Sequence, residues 1–243
     1  FVEMHDFIWS SDMTDNSNFE KAETLLDINS FIDYFIMELG LNNKAWPQHN
    51  IRFWKSDTEG GKWRYIMYDM DIAMYRWPCT KYNQDLLGLK MVEYLDTNKH
   101  VNILKSLMDN KSFRQQYSNR HQDLFNTLLG EIQFAKELDK MVNILDPEMP
   151  RQFETYPGTY YDWINYYIDR MHIYIQERPY YARLFMDEYF QLGGEAGITI
   201  TSSHPDDTNI SLNSLDEITL PFQGYYFQDI PIELSATSNN SDL

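Results

Sequence analysis

Residues 50–71 read NIRFWKSDTEGGKWRYIMYDMD, and their pattern predicts a β-hairpin. Two runs that mix apolar, aromatic and basic residues, Ile51–Lys55 and Lys62–Tyr68, flank a polar loop that contains two adjacent glycines. Such an arrangement is typical of two antiparallel strands, and glycine adopts the positive φ angles that a tight reversal needs. We therefore predict a reversal centred between Glu59 and Gly60.

Oxygen ligands stand at the open end of this hairpin. A reversal at that point sets Asn50 opposite Asp69, and neighbouring strands lie about 4.8 Å apart, so both side chains can reach one ion. Asp71 points to the same side if the extended geometry persists. An amide oxygen and carboxylates suit Mg²⁺ or Mn²⁺ better than zinc. The alternative interpretation is that Asn50 caps a turn and that both aspartates are solvated loop residues or helix caps.

Two segments that precede the hairpin widen the pattern. DINSFIDYFI begins at Asp27 and NKAWPQHN ends at Asn50; IRFWK and GGKWRYIMYDMD then follow. In combination and in this order, the four pieces resemble the spore-coat-protein-H (CotH) kinase family. In that family a helix of the type D-x-x-x-F-I-D-Y leads to a segment like N-x-D-W-P-x-x-N, and a strand pair and a D-x-D follow.

Proteins of this family look like distant relatives of protein kinases. The resemblance therefore implies a kinase-like C-terminal lobe, ATP bound with Mg²⁺ or Mn²⁺, and a protein substrate. It sets Asn50 where the Asn of the kinase catalytic loop binds Mg²⁺, and Asp69 where the Asp of the D-F-G motif binds it. The hairpin and the resemblance thus name the same pair for metal and nucleotide, with Asp71 as a further metal ligand.

Position 45 departs from the family pattern. The kinase loop D-x-x-x-x-N sets the base five residues before Asn50, where this chain has Ala45. Alanine cannot accept a proton from an attacking hydroxyl. We therefore expect no catalytic base, and phosphoryl transfer that is impaired or absent as in a pseudokinase, whereas metal and nucleotide binding can survive.

The part of the chain before the resembling segments is short. A kinase needs an N-terminal lobe with a phosphate-covering loop and a lysine that contacts the phosphates. Residues 1–26 contain no glycine. We expect the chain to represent the C-terminal lobe without its N-terminal partner.

Composition excludes several classes of function. The 243 residues are 43% hydrophobic, enough for one sizeable core, and carry a formal net charge of −17. This charge argues against non-specific nucleic-acid binding and against anionic membranes. No run of about 18 apolar residues predicts a membrane span. The basic residues of the hairpin either offset the repulsion of ATP or form a solvated strand face; they are Arg52, Lys55, Lys62 and Arg64.

Cysteine and histidine give no competing site. Cys79 is the only cysteine, which excludes an intrachain disulfide and a thiolate zinc cluster, and we expect a buried thiol. The histidines lack a ligand spacing. His49 alone is near the proposed site, where we expect a loop or packing role rather than a phosphate or metal contact.

Helical spacing dominates from about Asn83 to Phe190 and predicts a helical bundle. Pro179 is predicted to start a new helix. Trp163, Tyr167 and Met171 are predicted to lie in the core. The stretches KSLMDNKSFRQQYSNRHQDLFNTLL and LDPEMPRQF resemble the family's helices after the D-x-D and its E-M-P-R turn.

The composition changes after Phe190. Alternating residues between Gly, Ser, Asn and Pro clusters predict strands at Ile198–Ile200, Ile218–Leu220 and Ile230–Leu234. The predicted fold is α+β and predominantly helical. It comprises a CotH kinase-like domain over residues 1–192 and a small β appendage over residues 193–243, for which truncation is an open alternative.

Two classes of function follow from these patterns. The first is an atypical, CotH-like protein-kinase fold that binds ATP with Mg²⁺ or Mn²⁺, with impaired transfer to protein hydroxyls. The alternative is a non-catalytic cell-surface adhesion or binding module that retains the fold and binds a protein or glycan. The acidic, Thr- and Asn-rich tail and the resemblance favour an exported or cell-surface bacterial protein.

Overall fold

The computed structural model describes residues 1–76, 80–94 and 97–238, and Cys79 lies outside these ranges. The helices are α1 (Val2–Ser10), α2 (Asn16–Leu25), α3 (Ile28–Gly40), α4 (Leu86–Glu93), α5 (Lys99–Leu107), α6 (Lys111–Asn126), α7 (Glu131–Leu145), α8 (Met149–Thr155), α9 (Tyr160–Asp162) and α10 (Asp169–Phe190). The strands are β1 (Arg52–Lys55), β2 (Trp63–Ile66), β3 (Glu195–Ile200), β4 (Thr208–Leu212), β5 (Phe222–Phe227) and β6 (Leu234–Ser238). The predicted α+β class and its helical predominance are confirmed.

Helix α3 lies in the main core because it carries apolar side chains around most of its circumference. Asp27 starts it as an N-cap, whose carboxylate accepts a hydrogen bond of 3.0 Å from the Ser30 N–H. The helix buries Phe31, Phe35 and Ile36 completely. Burying each such side chain contributes about 1.5–3 kcal/mol to the stability of the fold. Helix α3 is therefore firmly held in the core, and other elements pack on it.

The predicted hairpin is confirmed, but its predicted register is wrong by one residue. Arg52 pairs with Ile66 and Lys55 pairs with Trp63, which centres the reversal on Glu59. The reason is the odd number of residues in the connection, in which Gly60 takes φ of 73° and the chain turns back. Continuing the ladder would set Asn50 opposite Tyr68 instead of Asp69.

The hairpin packs one face on α3. The Asp27 N–H donates to the Trp63 carbonyl over 2.9 Å, and the Tyr65 N–H donates to the Ser30 hydroxyl over 3.2 Å. Tyr65 itself is buried and lies edge-on to Phe31. These contacts fasten β2 of the hairpin to the N-terminal part of α3.

The bundle from α4 to α10 follows the predicted helical spacing, with two corrections between residues 163 and 179. Pro179 lies inside α10 and does not start a new helix. A proline lacks the N–H that bonds four residues back, but the neighbouring side chains of Ile175, Arg178 and Ala182 are buried and hold both halves of the helix.

The second correction concerns three side chains predicted to be in the core. Trp163 and Met171 are only partly buried, and Tyr167 is exposed. Residues 163–168 form a π-helical segment that joins α9 to α10. The buried face of α10 begins further along the chain, at Tyr174 and Ile175.

The C-terminal strands form two antiparallel pairs, β3 with β5 and β4 with β6. The prediction at Ile198–Ile200 lies within β3. The predicted strand at Ile218–Leu220 is wrong: Ile218 is buried and donates one hydrogen bond to the Ile210 carbonyl without forming a ladder. The prediction at Ile230–Leu234 overlaps β6 only at Leu234, and β4 was not predicted.

A buried carboxylate joins this β region to the helices. Asp123 of α6 is fully buried. It accepts hydrogen bonds from Asn213, from both the N–H and the hydroxyl of Ser214, and from the Tyr226 hydroxyl, over 2.6–3.1 Å. Among the described residues, none of the helices is both long and apolar enough to cross a membrane.

Candidate functional site

The predicted ligands lie beyond the open end of the hairpin. Asn50 precedes β1 by two residues, and Asp69 follows β2 by three. Both have left-handed backbones, with φ of 66° for Asn50 and 59° for Asp69. Asn and Asp tolerate this conformation better than other side chains. The chain therefore turns at both predicted ligands, and the strand ladder does not extend to them.

The side chains of these ligands are available. Within the described ranges, no hydrogen bond or ion pair engages the side chain of Asn50, Asp69 or Asp71. Asp69 and Asp71 are exposed, and Asn50 is partly buried. A capping residue accepts a hydrogen bond from a backbone N–H, and none of the three does so. The capping alternative is therefore unsupported.

The donor set restricts the kind of ion. No group of three or more His, Cys, Asp and Glu side chains is arranged to hold a metal in the part of the chain that the structure describes. The predicted set has two carboxylates and one amide, all hard oxygen donors. Such a set fits Mg²⁺ or Mn²⁺ when water or phosphate oxygens complete the shell, so the residues present are chemically suited to a nucleotide-bound cation.

Asn43 organises the loop that leads to Asn50. Its backbone N–H donates to the Glu38 carbonyl over 2.9 Å, and its side-chain amide donates to the Glu38 carboxylate over 2.8 Å. Its own backbone carbonyl accepts from the Trp46 N–H, and its side-chain oxygen accepts from the Ala45 N–H over 3.3 Å. The loop is therefore pinned to the end of α3 at its first turn.

The same loop holds the segment after β2. The Asn43 amide also contacts the Met70 sulfur at 3.2 Å. The Lys44 N–H donates to the Ile72 carbonyl over 3.3 Å, and the Met74 N–H donates to the Leu41 carbonyl over 3.0 Å. The residues that flank Asp69 and Asp71 are thus fastened to the residues that flank position 45.

Ala45 lies within this pinned loop. Its N–H donates to Asn43, and its carbonyl accepts from the His49 N–H over 3.1 Å. The next residue, Trp46, is completely buried and packs edge-on against Phe35. The backbone at position 45 is therefore well held by hydrogen bonds, and the methyl group of Ala45 offers no proton acceptor.

Glu38 is a site-adjacent residue that the sequence patterns did not single out. Its side chain is completely buried, and its Oε1 atom has no hydrogen-bond partner within the described structure. Burial raises the pKa of its carboxyl to about 7, while the hydrogen bond from Asn43 and the nearby Tyr34 hydroxyl act in the opposite direction. The available signal was a single glutamate inside the apolar run FIMELG of α3.

Lys90 of α4 was also missed. Its side chain is 2% exposed, and its ammonium donates to the Lys44 carbonyl and to the Gln48 side-chain oxygen, both over 3.4 Å. The ammonium also lies over the Tyr94 ring. A cation is therefore buried against the loop that contains Ala45.

The basic residues of the hairpin behave mainly as a solvated face. Arg64 pairs with Asp27 over 2.9 Å, and Arg52 stacks on the Tyr68 ring. Lys55 and Lys62 are exposed at the loop end of the hairpin, away from the predicted ligands. His49 is exposed and contributes a backbone hydrogen bond to the loop.

Comparison with known proteins gives one match. Residues 1–182 match the family model described as CotH kinase protein, which covers about three quarters of the chain. No curated protein and no solved structure matches the chain significantly.

Proposed function

Since the chain belongs to the CotH kinase family, we propose that it binds ATP with Mg²⁺ or Mn²⁺ on a kinase-like C-terminal lobe. The proposed reaction class is phosphoryl transfer to a protein hydroxyl. In this chain we propose that transfer is impaired, because position 45 carries alanine. The whole protein would then be a nucleotide-binding pseudokinase or a kinase of very low activity.

One observation carries the binding part of this proposal. Asn50 and Asp69 combine left-handed backbones with unengaged oxygen donors beyond one end of a hairpin that is fixed on α3. Non-glycine residues in such conformations are found preferentially at functional sites. Lys44 and Ile72 link the loop before Asn50 to the segment after Asp69, which supports joint use of the two residues.

The roles follow from the chemistry of the donors. Asn50 and Asp69 would hold the cation, with Asp71 as a third protein ligand. When bound, the cation would supply positive charge that offsets the negative charge of the phosphates. That neutralisation matters for this chain because its net charge of −17 repels free ATP.

The test is isothermal titration of the full chain with ATP in the presence of Mg²⁺ or Mn²⁺. We expect saturable binding that is weakened at least about tenfold, or about 1.4 kcal/mol, by Asn50→Ala and by Asp69→Ala. Asp57→Ala is the matched control, since Asp57 is an exposed aspartate in the loop at the opposite end of the same hairpin. Absence of binding by the unmodified chain, or equal binding by all variants, would contradict the proposal.

A second candidate function is a cell-surface adhesion or binding module, which fits an exported location. The observation that favours it is a group of exposed tyrosines on and around α8–α10: Tyr156, Tyr160, Tyr161, Tyr166 and Tyr180. Tyrosines supply large contact areas with a polar tip and are enriched at binding surfaces. Loss of a partner's binding on Tyr161→Ser, in a chain that does not bind ATP, would favour this candidate.

A further inference from the structure

The ammonium of Lys90 has room for one more acceptor. A lysine ammonium carries three donors, and within the described structure two of them are used, by the Lys44 carbonyl and the Gln48 side-chain oxygen. Both bonds measure 3.4 Å, beyond the usual 2.7–3.2 Å for N–H···O. Lys90 therefore holds its loop through two long hydrogen bonds to neutral groups.

The charge of Lys90 lacks a close anion. No described carboxylate forms an ion pair with it. Burial lowers the pKa of this ammonium; the charge of Glu93 raises it, and the charge of Lys44 lowers it. A buried charge is costly unless it is paired. The surroundings of Lys90 would therefore be stabilised by a nearby carboxylate.

Position 45 is where such a carboxylate would be within reach. The Lys44 carbonyl that accepts from Lys90 belongs to the peptide group that leads directly to Ala45. The Ala45 N–H is fixed by Asn43, and its carbonyl accepts from His49, so the backbone at this position is set. The Cα atom of residue 45 belongs to the same peptide group as the Lys44 carbonyl. The carboxylate carbon of an aspartate at position 45 would lie two bonds from that Cα atom.

We propose that Lys90 is a positioning residue for position 45: its ammonium, held on helix α4 beside the Lys44 carbonyl, is placed to pair with a carboxylate at position 45, where the resemblance expects one and this chain has Ala45. Lys90 would hold that carboxylate in one orientation while Gln48, which also contacts the Tyr94 hydroxyl, supports the ammonium. The role of the carboxylate as a base rests on the proposed function, whereas the ion pair itself does not.

The direct test is a double-mutant cycle in the full chain. It compares Ala45→Asp with the uncharged control Ala45→Asn, each with Lys90 and with Lys90→Met, by urea unfolding at pH 7. We expect the ratio of unfolding constants between the aspartate and asparagine variants to change about tenfold when Lys90 is removed, since two charges in contact are energetically coupled. A change smaller than about threefold overturns the proposal.

A second measurement covers the case in which Lys90→Met does not fold. The stability difference between Ala45→Asp and Ala45→Asn is followed from pH 7.5 down to pH 3.5. Pairing with Lys90 depresses the pKa of the new carboxyl, so its stabilising effect is present at neutral pH and is lost as the carboxyl is protonated. A new carboxyl that makes the protein less stable than asparagine does at pH 7.5 overturns the proposal.

These readouts separate the inference from the proposed function. Both measure folding without nucleotide, so a failure of ATP binding leaves the cycle interpretable. Conversely, the chain could bind Mg²⁺-ATP through Asn50 and Asp69 and show no coupling between positions 45 and 90. That result would support the proposed function and contradict the ion pair.

Discussion

The side-chain amide of Asn43 donates a 2.8 Å hydrogen bond to the carboxylate of Glu38, which is completely buried. This bond joins the last turn of α3 to the loop that carries Ala45 and Asn50. The partner oxygen of the same carboxylate, Oε1, has no hydrogen bond in the described structure. The buried, titratable carboxylate of Glu38 therefore holds the loop that leads to the predicted site, although one of its two oxygens has no hydrogen bond in the described structure.

Glu38 is predicted to make stability depend on pH. Burial raises the pKa of its carboxyl from 4.5 to about 7 in the folded state. The folded chain therefore binds the proton more tightly, and the resulting stability is complete below about pH 4.5 and is lost as pH rises through about 7. The shift corresponds to about 3 kcal/mol. Comparing Glu38→Gln with the unmodified chain by urea unfolding at pH 5 and pH 8 isolates this group.

We expect the unmodified chain to lose stability relative to Glu38→Gln between those two pH values. Glutamine keeps an oxygen that can accept from Asn43 but does not titrate. The exposed Glu59→Gln, in the hairpin loop, is the control and is expected to show no such relative change. An equal stability difference at both pH values would contradict the role of Glu38.

Arg178 is predicted to be a major contributor to stability. Its buried guanidinium donates four hydrogen bonds of 2.7–3.1 Å to backbone carbonyls: Leu39, Gly40, Tyr82 and Gln84. Two of these carbonyls lie at the C-terminal end of α3, where a cation is also favoured by the helix dipole. Arg178→Met removes these four charge-assisted hydrogen bonds from a buried site and is expected to cost about 3–5 kcal/mol in the free energy of unfolding.

Chemical denaturation of Arg178→Met measures that cost. The matched control is Arg151→Met, because Arg151 is exposed and forms a surface ion pair with Glu148. Surface pairs contribute about 0–1 kcal/mol, so the control is expected to unfold close to the unmodified chain. Similar losses in the two variants would refute the assignment.

Asp123 is predicted to dock the β region on α6. Its two oxygens accept four hydrogen bonds from Asn213, Ser214 and Tyr226. Asp123→Asn turns one acceptor into a donor that faces other donors, at a cost of about 1–3 kcal/mol for each unmet group. We expect faster hydrogen exchange across β4 and β5 with little change in α3. The exposed Asp206→Asn, in the same β region, is the control; equal exchange in both variants would contradict this role.

Ala45→Asp is predicted to raise autophosphorylation in the full chain. The added carboxylate supplies a proton acceptor at the position where the resemblance expects the base, and general bases contribute about 10²–10⁴-fold. Incorporation of labelled phosphate from ATP measures the gain, with Ala45→Asn as the uncharged control. Equal incorporation by the two variants would show that position 45 does not limit the reaction.

The sequence predicted the hairpin because its signals are local. Alternating residues and adjacent glycines define strands and a turn without reference to the remainder of the chain. The register was not predicted correctly because it depends on whether the connection between the strands has an odd or an even number of residues. The presence of two glycines does not specify that number. The prediction that Tyr167 lies in the core was wrong for a related reason. Helical periodicity does not reveal which face of a helix another element covers.

The sequence by itself determined the order of the motifs that resemble the family, the alanine at position 45 and the hard oxygen donors of Asn50, Asp69 and Asp71. Only the tertiary structure decided that Glu38 supports Asn43 and that Lys90 reaches the Lys44 carbonyl, 46 positions away. The physical reason is that motifs record residue identity along the chain, whereas burial, desolvation and charge pairing depend on neighbours that folding brings together from distant positions.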